Sequence, residues 1–405
     1  MRTFNKSKKL EGVQYEVRGP VADQALRMEA AGEKVLKLNI GNPAPFGFRT
    51  TDEIVQTMID NLTETEGYSN SRGLESARKA ILEHAKSKNI PNVTMEDIYT
   101  GNGASDLINM CMTALLDPGD EILIPAPDYP LWTACATLAG GTVVHYLCDE
   151  QSDWYPDLDD IRSKITPKTK AIVIINPNNP TGALYPKDIL EEIVKIAREN
   201  ELMIFCDEIY ERLVMDGLEH TSIASLAPDL FCVTFGGLSK SHMVCGYRVG
   251  WCFFSGNKEL GRDYIEGFNK LSNMRLCSNV PAQSIIPTAL ADQASVDSYI
   301  KPGGRIYEQR EFVYNALNEI PGITTAKPHA AFYIFPKIDV KRFNITSDVQ
   351  FAIDLLKQKH VLIVQGSGFN WPNPDHFRVV YLPSIETLKP AINNLADFLS
   401  TYKQQ

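Results

Sequence analysis

Two cations eight residues apart hold the densest chemistry in this chain. In FGGLSKSHMVCGYRVG, residues 235–250, Lys240 follows an apolar strand-like run and Arg248 sits among apolar and glycine residues. A lysine at a strand exit in a desolvated crevice can act as an amine nucleophile or Schiff-base former, because losing solvent favours the neutral amine. In a surface loop it is only a solvated charge. Arg248, so surrounded, is expensive without an anionic partner, and a phosphate gripped by both guanidinium arms is one such partner. Asp207 is the opposing charge. It ends the apolar run LMIFCD, so its carboxylate needs a cation or several donors, unless it serves as a helix N-cap for the segment that follows. Tyr210, three residues on, can share the same site.

Further candidates lie at other strand exits. NPNNPTG, residues 176–182, is a turn by composition, yet its amides, Asn179 among them, sit at the mouth of the sheet. GNGASD, residues 101–106, begins like a dinucleotide fingerprint, but Asp106 stands where the third glycine belongs. A single phosphate still fits there: Gly103, Ala104 and Ser105 offer backbone N–H groups at a helix start and Ser105 adds a hydroxyl. A plain tight turn is the alternative. Tyr129, between prolines in PAPDYPLW, can present a flat ring or simply pack. Arg378, in the otherwise apolar FRVVYLP, wants a planar carboxylate or a structural ion pair. Together these residues ask for a planar ligand that carries a phosphate, takes a Schiff base from a lysine and has a basic ring nitrogen needing a carboxylate. Pyridoxal phosphate meets all four requirements.

Residues that converge on one ligand need a common framework. From about residue 50, helix and strand alternate. The segments SARKAILEHAKSK, ASDLINMCMTALL, DLDDIRSKI and KDILEEIVKIAREN have helical spacing, and DIYTG, DEILIPAP, TVVHYLCD, AIVIINP, LMIFCDE and LFCVTFGGL read as strands. Strands this apolar predict a sheet covered on both faces, mostly parallel and doubly wound, with ligands bound beyond the strands' carboxyl ends. After about residue 300 the pattern changes to helix YEQREFVYNALNEI, strand AFYIFP, helix SDVQFAIDLLKQKH and strands VLIVQG and FRVVYL. The expected architecture is a three-layer α/β/α unit over residues 50–297 and a smaller α+β unit over residues 298–405. Residues 1–49 are expected to pack against the latter.

Composition removes several classes. The chain has 405 residues, 44% of them apolar and 22% charged, which describes an ordinary folded protein of two or three domains. A net charge of −10 argues against a general nucleic-acid or anionic-membrane surface. The 8 cysteines are dispersed without a CxxC pair, and the histidines form no HExxH motif or Cys/His cluster, so reduced thiols and no metal are expected. The N-terminal basic residues precede no apolar core and no apolar run is long enough to span a bilayer, so a soluble cytoplasmic protein is expected.

GLSKSHMVCGYR resembles the lysine motif of fold-type I, class I aminotransferases, in which SK is followed by GxR. The likeness runs from LNIGNP at 38–43 to FRVVYLP at 377–383. YEVRGP, KLNIGNPAPFGF, PAPDYPLWTA, INPNNPTG and QGSGFNWP are most similar to the bacterial glutamate–pyruvate (alanine) branch. The resemblance implies the fold of type I pyridoxal-phosphate transferases. It also implies a reversible ping-pong transamination between L-alanine and 2-oxoglutarate, by way of pyridoxamine phosphate. By this resemblance Lys240 carries the cofactor and then moves the proton, while Asp207 pairs with the pyridine nitrogen. Asn179 and Tyr210 hold the 3′-oxygen, Tyr129 stacks on the ring, and Ala104, Ser105, Ser239 and Arg248 form the phosphate cup. Tyr68 reaches the phosphate of a neighbouring subunit, so a homodimer with shared sites is implied. Gly41, Asn179 and Arg378 take the substrate's α-carboxylate. Tyr15 and Arg18 are candidates for the distal carboxylate of glutamate, since a dicarboxylate needs a second cation.

Two departures from the family pattern stand out. Gly237 occupies the place, three residues before the lysine, where many relatives carry a serine or threonine, and Ala330 precedes AFY where relatives often have glycine. Competing readings are an aromatic or branched-chain aminotransferase, a C–S lyase, a nicotinamide dehydrogenase and a pyridoxal-phosphate-sensing regulator. The incomplete glycine fingerprint disfavours the dehydrogenase, and the short segment before LNIGNP leaves no room for a helix-turn-helix.

Overall fold

The computed structural model describes residues 2–15, 17, 19–292 and 294–405. Its centre is an eight-stranded sheet. The strands are β1 (Ile98–Asn102), β2 (Glu121–Ala126), β3 (Thr142–Asp149), β4 (Tyr155–Pro156), β5 (Thr169–Ile175), β6 (Met203–Asp207), β7 (Phe231–Gly237) and β8 (Val249–Gly256). They lie in the order β1-β8-β7-β6-β5-β2-β3-β4. The stretch from β7 through β3 is parallel throughout.

Side-chain alternation explains why such uniformly apolar strands hold a fixed register. Ile172, Ile174, Ile204, Cys206 and Cys232 enter one core, and Ala171, Val173, Ile175, Phe205, Val233 and Phe235 enter another on the opposite face. The first core is closed by helices Glu75–Ser87 and Lys187–Glu199, the second by Ala104–Leu115, Leu131–Ala139 and Arg262–Arg275. Each fully buried Ile, Val or Phe contributes about 1.5–3 kcal/mol, so a one-residue slip would move apolar side chains of a strand to the wrong face all at once.

β8 is antiparallel to both neighbours, and the short edge strand β4 is antiparallel to β3, the two exceptions in an otherwise parallel order. The sequence VGWCFFSG is apolar enough for a strand, but it follows β7 after a connection too short for a parallel crossover, so the chain must fold back. Register pairs Gly237 with Gly250. Lys240 and Arg248 therefore sit on the two arms of one hairpin-like connection, residues 238–248, and their spacing of eight residues fits within it.

A third core gathers helix Pro20–Ala30 with helices Arg305–Asn318, Asp348–Lys359 and Ile385–Thr401. Leu36–Lys37 pairs in parallel with Val361–Leu362. The apolar run VLIVQG is not one strand: Val364–Gln365 turns to pair with Phe377–Val380, which also pairs with Tyr333–Ile334. In HAAFY the unusual backbone falls at Ala331, whose φ is 59°, while Ala330 makes a regular bridge to Val214. Among the described residues no helix is long and apolar enough to cross a membrane.

Candidate active site

Beyond the carboxyl ends of β5, β6 and β7 lies a cavity of about 810 Å³. Tyr15, Gly41, Ala104, Ser105, Tyr129, Asn179, Asp207, Tyr210, Ser239, Lys240, Arg248 and Arg378 all line it. Tyr68 does not: its side chain is 83% exposed on the outer surface. Arg18 lies outside the described residues.

β6 delivers Asp207 at its last position, buried. The carboxylate accepts from Trp132 Nε1 at 2.9 Å and from the Ile209 backbone N–H at 3.4 Å, and no cation bonds it among the described residues. Burial pushes its pKa up to about 6, against the lowering effect of the Trp132 bond. Trp132 is held edge-on to Phe235, 5.2 Å between centroids, so its N–H is aimed rather than free to rotate. The Tyr210 hydroxyl lies 2.9 Å from that of Tyr333. Burial raises the Tyr210 and Tyr129 phenols far above their ordinary range, so both stay protonated and able to donate.

Lys240 enters from the connection after β7. Its Nζ donates to the Gly41 carbonyl at 2.6 Å and lies 3.6 Å from Cys245 Sγ, whose thiol donates to the Ser239 carbonyl at 2.9 Å. Gly41 is glycine for a steric reason: a Cβ there would collide with the Tyr333 hydroxyl.

The other arm of the connection builds an anion cradle. Arg248 is held at a φ of 57°, an uncommon conformation for a residue with a side chain. Its guanidinium donates to Ser105 Oγ at 3.1 Å, the Asn102 carbonyl at 3.3 Å and the Cys245 carbonyl at 3.0 Å. Behind Ser105 begins helix Ala104–Leu115, which no side chain caps, so its first N–H groups face the same space. A Cβ at Gly103 would strike the Arg248 guanidinium, and one at Gly250 would strike the backbone of Gly103 and Ala104. Both glycines are needed for the close approach.

Arg378 faces the cavity from the strand Phe377–Val380. Its guanidinium carbon is 4.5 Å from the ring centroids of both Tyr333 and Phe369, whose faces hold the planar group in place. Nη1 donates to Asn179 Oδ1 at 2.9 Å, Nη2 donates to the Asn39 carbonyl, and the buried Nε has no partner. Burial pulls its pKa down, yet a guanidinium stays charged, so the group is left wanting an anion. The bond from Arg378 orients the Asn179 amide, leaving its N–H₂ for the cavity. Tyr15 Oη is 3.1 Å from Tyr129 Oη, which joins the N-terminal segment to the same wall.

Trp132, Tyr333, Phe369 and Cys245 are the site residues that reasoning from sequence missed. Trp132 and Tyr333 lie inside PAPDYPLW and AFYIFP, but an aromatic residue in an apolar run reads as packing, and only the fold turns its polar or flat side toward a charge.

Fold and cavity together define an α/β protein with a small-molecule site at the carboxyl ends of its strands. The chain belongs to the family "Aminotransferase class I and II", whose model matches residues 33–395. It is 57% identical over the full length of both chains to "Glutamate-pyruvate aminotransferase AlaA" of Haemophilus influenzae. It is 51% identical to "Alanine aminotransferase" of Mycobacterium tuberculosis, covering all of this chain and 94% of that protein. A solved aminotransferase from Escherichia coli superposes with a TM-score of 0.99 at 56% identity, each chain covered in full.

Proposed function

We propose that this protein is a pyridoxal-phosphate-dependent aminotransferase that exchanges the amino group between L-alanine and 2-oxoglutarate, giving pyruvate and L-glutamate. One observation carries the proposal. A single cavity holds the Lys240 amine, a buried Asp207 without a cation, and two arginines, one beside a bare helix start and one between two rings. Full-length similarity to proteins named for alanine and glutamate–pyruvate transfer supports the substrates.

The residues present fit the cofactor. Asp207 lacks the positive partner that a protonated pyridine nitrogen would supply. Ser105, Ser239, Arg248 and the N–H groups from Ala104 onward suit a phosphate, and Ser239 stands in for the side chain that Gly237 lacks. Tyr129 offers a ring face, and Asn179 and Tyr210 offer donors for the 3′-oxygen. When bound, pyridoxal phosphate supplies an aldehyde that condenses with amines and a ring that withdraws electrons from the substrate's Cα. Asp207 then keeps the ring nitrogen protonated. Lys240 Nζ, hydrogen-bonded to the Gly41 carbonyl, is the atom that takes and returns the Cα proton. Arg378 and Asn179, with the Gly41 backbone beside them, bind and orient the α-carboxylate, which fixes the Cα before the proton moves. Tyr15 and Arg18 meet the distal carboxylate of the five-carbon substrate.

The outward-facing Tyr68 completes the phosphate site of a second copy, so the working form is a homodimer. Its eight free cysteines suit a reducing cytoplasm. The test is turnover by the purified, cofactor-supplemented protein of L-alanine with 2-oxoglutarate, against L-phenylalanine and cystathionine as alternative substrates. Pyruvate and glutamate formed in equal amounts, with kcat/KM for alanine at least tenfold above phenylalanine, is the expected result. Preference for phenylalanine, or ammonia release from cystathionine, would overturn it.

A further inference from the structure

Next to Tyr129 lies a carboxylate that the proposed reaction does not use. Asp128 is completely buried, its hydrogen-bond partners are all neutral, and the cationic influence on it comes from His145, which makes no hydrogen bond to it. Its Oδ1 accepts from Asn370 Nδ2 at 2.6 Å and its Oδ2 from Thr133 Oγ1 at 2.8 Å, while its backbone N–H donates to the Phe369 carbonyl at 3.0 Å. Asn370 Nδ2 also reaches Thr133 Oγ1, at 3.2 Å. The partners come from two different parts of the chain. Asp128 and Thr133 flank the turn after β2 that carries Tyr129, and Asn370 and Phe369 belong to the turn Gly366–Phe369 and its cap. Asn370 holds the left-handed conformation, φ 56°, which asparagine tolerates better than most residues.

The two turns it ties together are two walls of the cavity. Phe369 is one of the rings that clamp Arg378, and Tyr129 is hydrogen-bonded to Tyr15, on the wall assigned above to the distal carboxylate. A fully buried ionised carboxylate with no hydrogen-bonded cation is costly: burial pushes its pKa up to about 6 even with His145 nearby and both donors in place. Packing alone does not call for it.

We propose that Asp128 and Asn370 are a pair of positioning residues that fix the distance between the Arg378 clamp and the Tyr129–Tyr15 wall, and thereby select a dicarboxylate long enough to touch both. This rests on the alanine–2-oxoglutarate reading. A substrate held at both ends is sensitive to the separation of its anchors, whereas one held at its α-carboxylate alone is not. Alanine is therefore the internal control for 2-oxoglutarate.

The experiment uses the cofactor-loaded full chain with Asp128→Asn, Asn370→Asp, the double exchange Asp128→Asn/Asn370→Asp, and Asn370→Ala as a milder change at a half-buried site. Readouts are KM for 2-oxoglutarate and for alanine, and the calorimetric Kd of glutarate, which needs no turnover. Each single variant is expected to raise the 2-oxoglutarate KM and the glutarate Kd about tenfold, as for loss of a charge-assisted bond, and the alanine KM no more than about twofold. The double exchange restores an amide–carboxylate pair with its polarity reversed, and should bring both constants back to within about threefold of native. Equal increases for the two substrates, a loss confined to thermal stability, or no recovery in the double exchange would overturn the pair's role. Native protein that neither turns over alanine nor binds glutarate would instead overturn the functional reading, and this inference with it.

Discussion

Asp207 and Glu208 are neighbours, each 4% exposed, and they face opposite fates. Asp207 looks into the cavity, where its bonds come from neutral N–H groups and the nearby cations, Lys240, Arg248 and Arg378, are held to carbonyls, hydroxyls and amides rather than carboxylates. Glu208 turns to the other side. There Glu208, Glu211 and His220 bring ligand-type atoms within 4.8 Å of one another, and the Lys88 ammonium sits among them. It is 3.4 Å from Glu208 and from His220 and in contact with Glu211. His84 adds a bond to Glu211 at 2.8 Å. Burial drives His84 down to about 3 and His220 to about 4, so both imidazoles stay neutral; burial lowers Lys88 too, and the Glu208 carboxylate opposes that and holds it as the cation of the cluster. The charges behind the strand satisfy each other, while those in front wait for partners that the chain does not supply. Uncompensated burial is the physical signature of a site; compensated burial belongs to the scaffold.

The sharpest way to break this contrast is to remove one charge from each side. Lys240→Ala should lower turnover by about 10⁴-fold, the upper end of what a positioned proton-transfer group contributes, and leave the urea midpoint of the cofactor-free protein within experimental scatter of native. A collapse in stability with only a modest loss of activity would place Lys240 in the scaffold.

How much of this was readable beforehand follows the same division. Lys240, Arg248, Asp207 and Arg378 stood out because a charge embedded in an apolar run is locally anomalous, and that anomaly survives in one dimension. The parallel core was legible for a related reason: strands such as AIVII, buried on both faces, leave no polar alternation to confuse with a surface strand. Lys88 and Glu211 were invisible, since each sits in a stretch where a charge is ordinary and only the fold brings the two together. Trp132 and Phe369 failed in the opposite sense, as aromatics that looked like packing and prove to face a carboxylate and a guanidinium. β8 escaped because strand direction depends on how the chain returns after Lys240, not on its own composition. Ile363 shows the same limit at small scale, a single residue where an apolar run leaves one strand partner for another.

On the scaffold side, Lys88→Met leaves Glu208 and Glu211 buried without their cation. The expected cost is about 3 kcal/mol in urea unfolding, at the low end for breaking a buried pair because the Lys88 side chain remains 19% exposed. KM for alanine and 2-oxoglutarate should stay within about twofold. A selective rise in KM with unchanged stability would mean that the cluster belongs to the site after all.

The smallest effect is also the most discriminating, because its sign reverses the usual expectation for a core mutation. In the cofactor-free protein Asp207 is a liability. Its pKa stands near 6 in the fold against an ordinary 3.8, so at pH 7 keeping it ionised costs roughly 3 kcal/mol relative to the unfolded chain. Asp207→Asn removes that charge but weakens the Trp132 bond, which leaves a net stabilisation of about 1 kcal/mol. Because the folded state holds its proton more tightly, the variant's advantage is greatest above pH 6 and shrinks as pH falls from 6 through 3.8, below which the native carboxyl is neutral in both states. Saturating pyridoxal phosphate should invert the order: native protein gains the pairing between its carboxylate and the ring nitrogen, the amide gains none, and turnover in the variant falls steeply. Urea midpoints of the two proteins at pH 5 and 7.5, with and without the cofactor, measure all of this. An Asp207→Asn variant less stable than native at pH 7.5 without cofactor would show that the carboxylate is already compensated, and the distinction between the two sides of β6 would fail at its central residue.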